Sequence, residues 1–176
     1  MKPKVKITID PLTGEGIDEA IRAVAEYKRW IEEKTNLLAK RLAEIGYDCS
    51  YQVLSGHIYS GDTLSSLTVE EVGPAQFLVK AESEAILFLE FGAGLIGYGH
   101  PEPQGYGPGT YPGKGHWDDP NGWWYETDDP ALAVKTSKKT GKMYGHSRGT
   151  PAYMPMYGAV RELEQRFKQI VAEVFI

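Results

Sequence analysis

The pattern of hydrophobic and polar residues along the chain predicts a long helix near the N-terminus. From residue 17 to residue 45, large aliphatic side chains recur every three or four positions, with charged residues between them. This spacing is typical of an amphipathic helix, and Gly46 is expected to end it as a C-cap. Because Lys28 and Thr35 interrupt the apolar stripe, we expect the helix to pack one side on a sheet rather than form a strict coiled coil.

Four short apolar segments lie before and after this helix: residues 5–9, 51–59, 64–72 and 76–81. The first alternates apolar with polar residues, as a half-buried strand does. The last two flank Gly73 and Pro74 and are predicted to form a hairpin. The run 85–91 fits either a strand or two helical turns, because periodicity cannot type so short a segment.

A different composition begins at residue 92. Half of the 20 glycines and five prolines fall in residues 92–122, which excludes a regular helix or a central strand there. Residues 122–127 (GWWYET) and 142–147 (KMYGHS) predict a second hairpin with a lysine-rich tip. From Pro155 a helix is predicted to run to the C-terminus. Its expected apolar face comprises Val160, Leu163, Phe167, Ile170, Val171 and Val174.

These elements predict an α+β fold in a single domain, residues 1–176. A small, mostly antiparallel sheet is packed by the long N-terminal helix and the C-terminal helix, and residues 92–124 form a long aromatic loop. A chain of 176 residues with 41% hydrophobic and 24% charged residues suits one ordered domain.

The net charge and the cysteine content limit the classes of function that the chain can have. The net charge of −5 gives no overall field that would attract nucleic acid or an anionic membrane. The one local basic segment, Lys135 to Lys142, is interpreted as a solvated hairpin tip. Cys49 is the only cysteine, which excludes an intramolecular disulfide and suits a reducing cytoplasm. We expect neither a secretion signal nor a membrane span.

Two glycine motifs resemble nucleotide sites without meeting their requirements. The run AILFLEFGAGLIG, residues 85–97, has G-x-G-x-x-G spacing, but a dinucleotide site needs a helix that opens within the motif. Pro101 and Pro103 prevent that helix. Residues 109–116 (GTYPGKGH) lack both the first glycine and the hydroxyl residue of a phosphate-binding loop. No cofactor is therefore expected.

The sequence evidence for a catalytic or metal-binding site is equally weak. No two histidines have the H-x-x-x-H or H-x-H spacing that prearranges zinc ligands, so they are interpreted as polar loop residues. The four are His57, His100, His116 and His146. No G-x-S-x-G motif is present, and Ser147 beside His146 does not define a triad. Glu90 has no titratable partner at a catalytic spacing, so it is predicted to act structurally, for instance by capping amides of the following glycine turn.

The aromatic residues of the loop indicate a contact surface more strongly than any of these motifs indicates a catalytic or cofactor site. Each large ring has roughly 150–250 Å² to bury, so leaving three indoles in water is unfavourable by several kcal/mol. The loop therefore folds back on its own domain or docks on another chain, with carbohydrate stacking as a third possibility. The predicted interface comprises Glu90, Phe91, Tyr106, Tyr111, Trp117, Trp123, Trp124, Tyr125, Tyr153 and Met154.

Two segments carry a resemblance to a known family. AILFLEFGAG, residues 85–94, is similar to the Y-A-x-x-x-E-F-G-T-G signature of the small neck, or head-tail joining, proteins of long-tailed bacteriophages. GTPAYMPMYGAVREL, residues 149–163, resembles the G-x-x-P-x-P/M-x-x-A start of that family's C-terminal helix. The Gly/Trp-rich insertion before GWWYET matches a subgroup from phages of Gram-positive hosts. Ala93 stands where threonine is usual, and Tyr153-Met154 replaces Phe-Leu or Phe-Met.

The resemblance implies a virion structural protein without catalysis or cofactor. Members of the family, also described as minor structural, head-tail connector or tail-completion proteins, form homo-oligomeric rings in the neck. The implied partners are other copies of the chain, a portal-side head-completion protein, and tail terminator or tail tube proteins. Double-stranded DNA would pass through the lumen without specific binding, and the protein would be made in the bacterial cytoplasm.

Two other classes of function remain open at this point. One is a nucleotide- or metal-dependent enzyme that uses the glycine-rich loop. The other is a carbohydrate-binding or host-recognition module built on the aromatic loop.

Overall fold

The computed structural model describes residues 6–8, 10, 12–14, 16–57, 61–83, 85–94 and 121–176. The fold is α+β, as predicted. Its helices are α1 (Ile17–Gly56), α2 (Gly61–Ser65), α3 (Ile86–Phe91) and α4 (Pro155–Phe175). Its strands are β1 (Thr68–Gly73), β2 (Gln76–Lys80), β3 (Ala93–Gly94), β4 (Trp123–Thr127), β5 (Lys135–Thr136), β6 (Met143–Ser147) and β7 (Gly149–Thr150). Across the described ranges, every helix is too short or too polar to cross a membrane.

Three small antiparallel sheets replace the single predicted sheet within the described residues. β1 pairs with β2, β3 pairs with β7, and the third sheet has the order β4-β6-β5. Both predicted hairpins are confirmed. The second one differs in detail, because β5 adds to β6 and the lysine-rich segment forms the turn that joins these two strands.

Helix α1 is longer than predicted. It continues through Gly46 to Gly56 and includes most of the apolar segment 51–59. Gly46 lies against Leu163 and Val79, to which an added Cβ would approach within 3.5 and 3.8 Å. A glycine inside a helix costs about 1 kcal/mol relative to alanine, and the contacts of this position with Leu163 and Val79 favour continuing the helix.

Other local predictions have mixed outcomes. The strand predicted at 5–9 is wrong for its described residues 6–8, which belong to no strand. The segment 64–72 begins as the end of helix α2 and becomes a strand only at Thr68. The ambiguous run 85–91 is helical over Ile86–Phe91.

The chain divides into two compact units. The first contains Met1–Cys49, Leu67–Lys80 and Ala159–Ile176, and the second contains Ser50–Ser66 and Ala81–Gly158. The prediction that residues 1–176 form one domain stays a prediction.

In the first unit, the C-terminal part of α4 packs on α1. Ile170 and Val174 are almost completely buried, and the rings of Trp30 and Phe175 meet edge to face with centroids 5.8 Å apart. Val160 and Phe167, predicted to be on the packed face of α4, are instead exposed. The apolar stripe of α4 is therefore wider than the surface that covers it in the described part of the chain.

In the second unit, buried side chains come from the end of α1, from α2, α3 and β3, and from the start of α4. They include Ser50, Leu54, Leu89, Glu90, Ala93 and Pro155. Residues 85–94 and the start of the segment 149–163 meet in this core.

Candidate functional site

The two segments that resemble neck proteins, residues 85–94 and 149–163, contact each other in the second unit. Strand β3 of the first segment pairs with β7 of the second. Helix α3 lies just before β3, and α4 begins five residues after β7. We call α3, β3, β7 and the first turn of α4 (Pro155 to Gly158) the junction.

Main-chain hydrogen bonds hold the chain between β7 and α4. The N–H groups of Tyr153 and Met154 both donate to the carbonyl oxygen of Leu89, at 2.8 and 3.2 Å. Met154 has a φ of 55°, a conformation that non-glycine residues rarely adopt. The shared carbonyl of a buried residue thus fixes the sharp turn that leads into α4.

Glu90 caps the start of α4. Its Oε2 accepts a hydrogen bond from the N–H of Met156 at 2.8 Å, and its Oε1 accepts one from the N–H of Tyr157 at 2.9 Å. The side chain is only 7% exposed. The first N–H groups of a helix lack partners within it and carry partial positive charge, so a carboxylate satisfies both needs. The predicted capping role is confirmed, but the amides belong to α4 and not to the glycine turn.

The order of elements around the glycines differs from that of a dinucleotide site. Residues 85–97 contain helix α3 followed by strand β3, whereas the fingerprint needs a strand followed by a helix. Gly92 has a φ of 77°, and its N–H donates to the carbonyl of Phe88 at 2.8 Å, which ends α3. Gly97 lies outside the described residues.

Gly94 and Gly149 allow the two short strands to approach closely. A Cβ added to Gly94 would lie 2.7 Å from the carbonyl oxygen of Arg148, and one added to Gly149 would overlap the carbonyl oxygen of Ala93. Both glycines also have positive φ, at 62° and 119°. In the described part of the motif, what the glycines approach is the protein's own backbone.

The end of α1 supports the junction from another side. The Ser50 hydroxyl is completely buried and donates to the carbonyl of Pro155 at 3.1 Å. Directly after the last residue of α1, the His57 ring stacks on Tyr153 with centroids 3.6 Å apart. Sequence reasoning missed both contacts, because neither a serine within an amphipathic helix nor a histidine just after it belongs to a pattern that identifies a distant partner.

The aromatic residues of β4 divide between its two sides. Trp123 and Tyr125 are half-buried, and the Tyr125 hydroxyl would lie 2.6 Å from a Cβ on Gly145, its partner on β6. Trp124 points the other way and is 47% exposed. Its ring lies beside His146, with centroids 4.6 Å apart. Only the Trp124 ring is therefore substantially available for an external contact among these three.

The remaining predicted interface residues are distributed as follows. Glu90, Phe91, Tyr153 and Met154 come together at the junction, where they are buried or half-buried. Tyr106, Tyr111 and Trp117 lie outside the described residues, as do His100 and His116. The two described histidines lie against different aromatic rings, and no group of three His, Cys, Asp or Glu side chains that could hold a metal ion occurs among the described residues.

An uncovered apolar face lies on the N-terminal half of α1, in the first unit. Its members are Ile17, Ile21, Val24 and Ile31, which we call the α1 face; their exposed fractions run from 39% for Ile31 to 62% for Ile21. The expectation that one side of the helix packs on a sheet is wrong for this half of α1. The β1–β2 hairpin meets α1 further along, where the Asn36 side-chain oxygen accepts a hydrogen bond from the N–H of Ala75 at 2.9 Å.

An open groove extends the α1 face toward the hairpin turn. It has a volume of about 790 Å³ and runs between α1 and the β1–β2 turn. Its lining residues are Ile31, Glu32, Thr35, Asn36 and residues 71–75. Val72, at its edge, is also exposed. The apolar surface of this unit is thus continuous from α1 onto the hairpin.

Comparison of the chain with protein families, with curated proteins and with solved structures finds no match.

Proposed function

We propose that this protein is a structural component of the neck of a tailed bacteriophage virion. In this role it forms a homo-oligomeric ring, acts as a head-tail connector or tail-completion protein, and lets double-stranded DNA pass through its lumen. Its other partners are a portal-side head-completion protein and tail terminator or tail tube proteins. It is made in the host cytoplasm and works without a cofactor.

The observation that carries the proposal is the junction. The two motifs that resemble neck proteins are separated by more than 50 residues, yet they share a strand pair, a buried cap and a shared carbonyl acceptor. Two short motifs that resembled the family by chance would not be expected to contact each other in the fold. Their contact favours the view that they are one structural signature.

The α1 face supports the self-assembly that the proposal requires. Burying a large aliphatic side chain fully is worth about 1.5–3 kcal/mol, and the four members of this face are all substantially exposed. A contiguous apolar patch on a protein surface usually marks an interaction site. On α4 of the same unit, Val160 and Phe167 add further exposed apolar area.

The charges beside the α1 face favour another copy of the chain as its partner. Residues 17–34 contain five acidic and four basic side chains, so the face is flanked by nearly balanced charge. A polyanion would require an excess of positive charge. A balanced surface can instead complement an equivalent surface on a second copy.

The proposal is tested by measuring the mass of the purified protein and imaging it. Mass photometry at several concentrations, followed by negative-stain electron microscopy, should give one closed oligomer with a central opening. A protein that stays monomeric at tens of micromolar, or one that a nucleotide stabilises strongly in a thermal-shift assay, would contradict the proposal.

The contribution of the α1 face is tested with a matched pair of variants. Ile21→Gln with Val24→Gln should give a folded monomer by mass and circular dichroism, because the apolar contact is lost. The control is Arg22→Gln with Glu26→Gln, which introduces two glutamines on the opposite side of α1. This variant should still assemble. Normal rings from the first variant would exclude this face as the interface.

A further inference from the structure

A basic hairpin lies in the second unit of this acidic protein. Between residues 131 and 150 the sequence has five basic side chains and no acidic one, while the whole chain has a net charge of −5. The basic residues are Lys135, Lys138, Lys139, Lys142 and Arg148, all of them exposed. Strand β5 and the turn between β5 and β6 carry the four lysines, and Arg148 directly follows β6. We call residues 135–148 the basic hairpin.

The turn of the basic hairpin is closed by internal hydrogen bonds. The N–H of Ser137 donates to the carbonyl of Lys142 at 2.8 Å, and the N–H of Gly141 donates to the carbonyl of Ser137 at 2.8 Å. Gly141 supplies the positive φ, 72°, that the turn needs. Lys138 and Lys139 are therefore held at the tip of an ordered turn rather than on a flexible tail.

Aromatic side chains on β4 and β6, the other two strands of this sheet, lie against one of the lysines. The Lys135 Nζ lies 3.8 Å from the centroid of the Trp124 ring and 5.9 Å from that of Tyr144. Such cation–π contacts orient an ammonium group without neutralising it. Lys135 and His146 both lie against the Trp124 ring, so part of its surface is already covered, which disfavours stacking of a sugar there.

Lys142 is oriented by an acidic neighbour. Its Nζ lies 2.8 Å from Glu126 of β4, and this hydrogen bond holds the pKa of Lys142 above its ordinary value. The ammonium therefore stays charged at neutral pH. Asp128 and Asp129 follow Glu126, so residues 121–150 together carry five basic and three acidic side chains, a net charge of +2. The excess of positive charge is concentrated on the hairpin itself.

We propose that the basic hairpin contacts the phosphate backbone of double-stranded DNA. Lysines that neutralise phosphates release counterions, and this term depends on salt but not on base sequence. Contacts of this kind are compatible with DNA that moves past the protein. The choice of duplex DNA as the polyanion rests on the proposed function.

Binding of a fluorescently labelled 30-base-pair duplex, followed by anisotropy from 50 to 200 mM NaCl, tests this contact. We expect weak binding that is independent of sequence and falls steeply with salt. Lys138→Gln with Lys139→Gln should raise the Kd at least about tenfold at 50 mM NaCl. It should also make the slope of log K against log salt shallower by about 1.8, or 0.9 for each lost phosphate contact.

A matched control removes the same charge elsewhere. Lys40→Gln with Lys168→Gln, two exposed positions on α1 and α4, should leave the Kd within about twofold. Equal weakening by the two variants would overturn the assignment to the hairpin. Binding of poly-glutamate in place of the duplex would overturn the assignment to DNA and indicate an acidic protein partner.

The same samples separate this inference from the proposed function. Their native mass is measured alongside DNA binding. Rings that form normally but do not bind the duplex would overturn the DNA contact and leave the neck proposal standing. A monomer that binds the duplex through the tip lysines would contradict ring formation and leave the DNA contact standing.

Discussion

At the residue scale, Glu90 connects the two motifs that define the junction. It is a buried carboxylate whose two oxygens accept hydrogen bonds from two N–H groups of another element. Removing it would leave those amides without a partner in a dry environment, which costs more than losing an exposed ion pair.

We therefore expect Glu90→Ala to lower the free energy of unfolding by about 2–4 kcal/mol. In a chain of this size that corresponds to a decrease in Tm of roughly 5–10 °C. Glu90→Gln keeps one oxygen acceptor and should lose less. Glu164→Ala, which removes an exposed partner of Arg161 on α4, is the control and should change Tm by no more than about 2 °C. Equal small effects of all three would show that the cap contributes little.

The two neighbouring tryptophans of β4 should differ in what they stabilise. Trp123 is half-buried beside Gly94, whereas Trp124 is nearly half exposed. Trp123→Ala should lower the Tm by several degrees, because truncating a packed indole costs about 3 kcal/mol or more. Trp124→Ala should leave the Tm within about 2 °C but change an intermolecular property, either ring mass or DNA binding. Thermal denaturation and mass photometry on both variants check this, and a reversed order of Tm values would contradict it.

At the element scale, the β3–β7 pair is short and depends on close backbone approach. Two residue pairs supply little pairing energy by themselves, so the absence of side chains at Gly94 and Gly149 decides whether the strands can meet. The junction thus depends on two kinds of contact. The cap is a polar contact, and the strand pair requires that no side chain separate the two backbones.

Gly149→Ala is expected to be strongly destabilising, by about 3 kcal/mol or more, because its methyl group would overlap the Ala93 carbonyl and its φ is positive. Gly158→Ala is the matched control in α4. Among the described residues, no atom outside its own helical turn lies within 4 Å of the added Cβ, and alanine favours a helix by about 0.5–1 kcal/mol. Urea denaturation should therefore move the midpoints of the two variants in opposite directions. Tolerance of alanine at position 149 would mean that β3 and β7 are not paired as described.

At the scale of the whole molecule, two kinds of surface are expected to respond differently to salt. The α1 face is apolar, whereas the basic hairpin acts through charge. Salt screens the second kind of contact and leaves the first largely unaffected.

Raising NaCl from 50 to 500 mM should therefore abolish binding of the duplex while the oligomer keeps its mass. Mass photometry and anisotropy in the same buffers provide the measurement. Dissociation of the ring over this range would indicate that assembly depends on ion pairs and would contradict an apolar interface.

The sequence by itself determined the elements whose period is long or whose turns are chemically distinct. The three- to four-residue spacing of apolar side chains over residues 17–45 predicted α1, and the Gly73-Pro74 turn predicted the β1–β2 hairpin. It also identified Glu90 as a structural carboxylate, because a lone charge in an apolar run has to find a partner. These features depend on local preferences that each segment carries with it.

Only the tertiary structure decided which groups meet. Gly46 stays helical because Leu163 and Val79 pack beside it, although glycine alone favours a helix end. The partner of Glu90 is α4 and not the adjacent glycine turn, and Ser50 reaches Pro155 across 105 residues. Contacts between residues far apart in sequence depend on how elements pack, which no local pattern encodes. The same reason explains why the uncovered α1 face could be recognised only once its neighbours were placed.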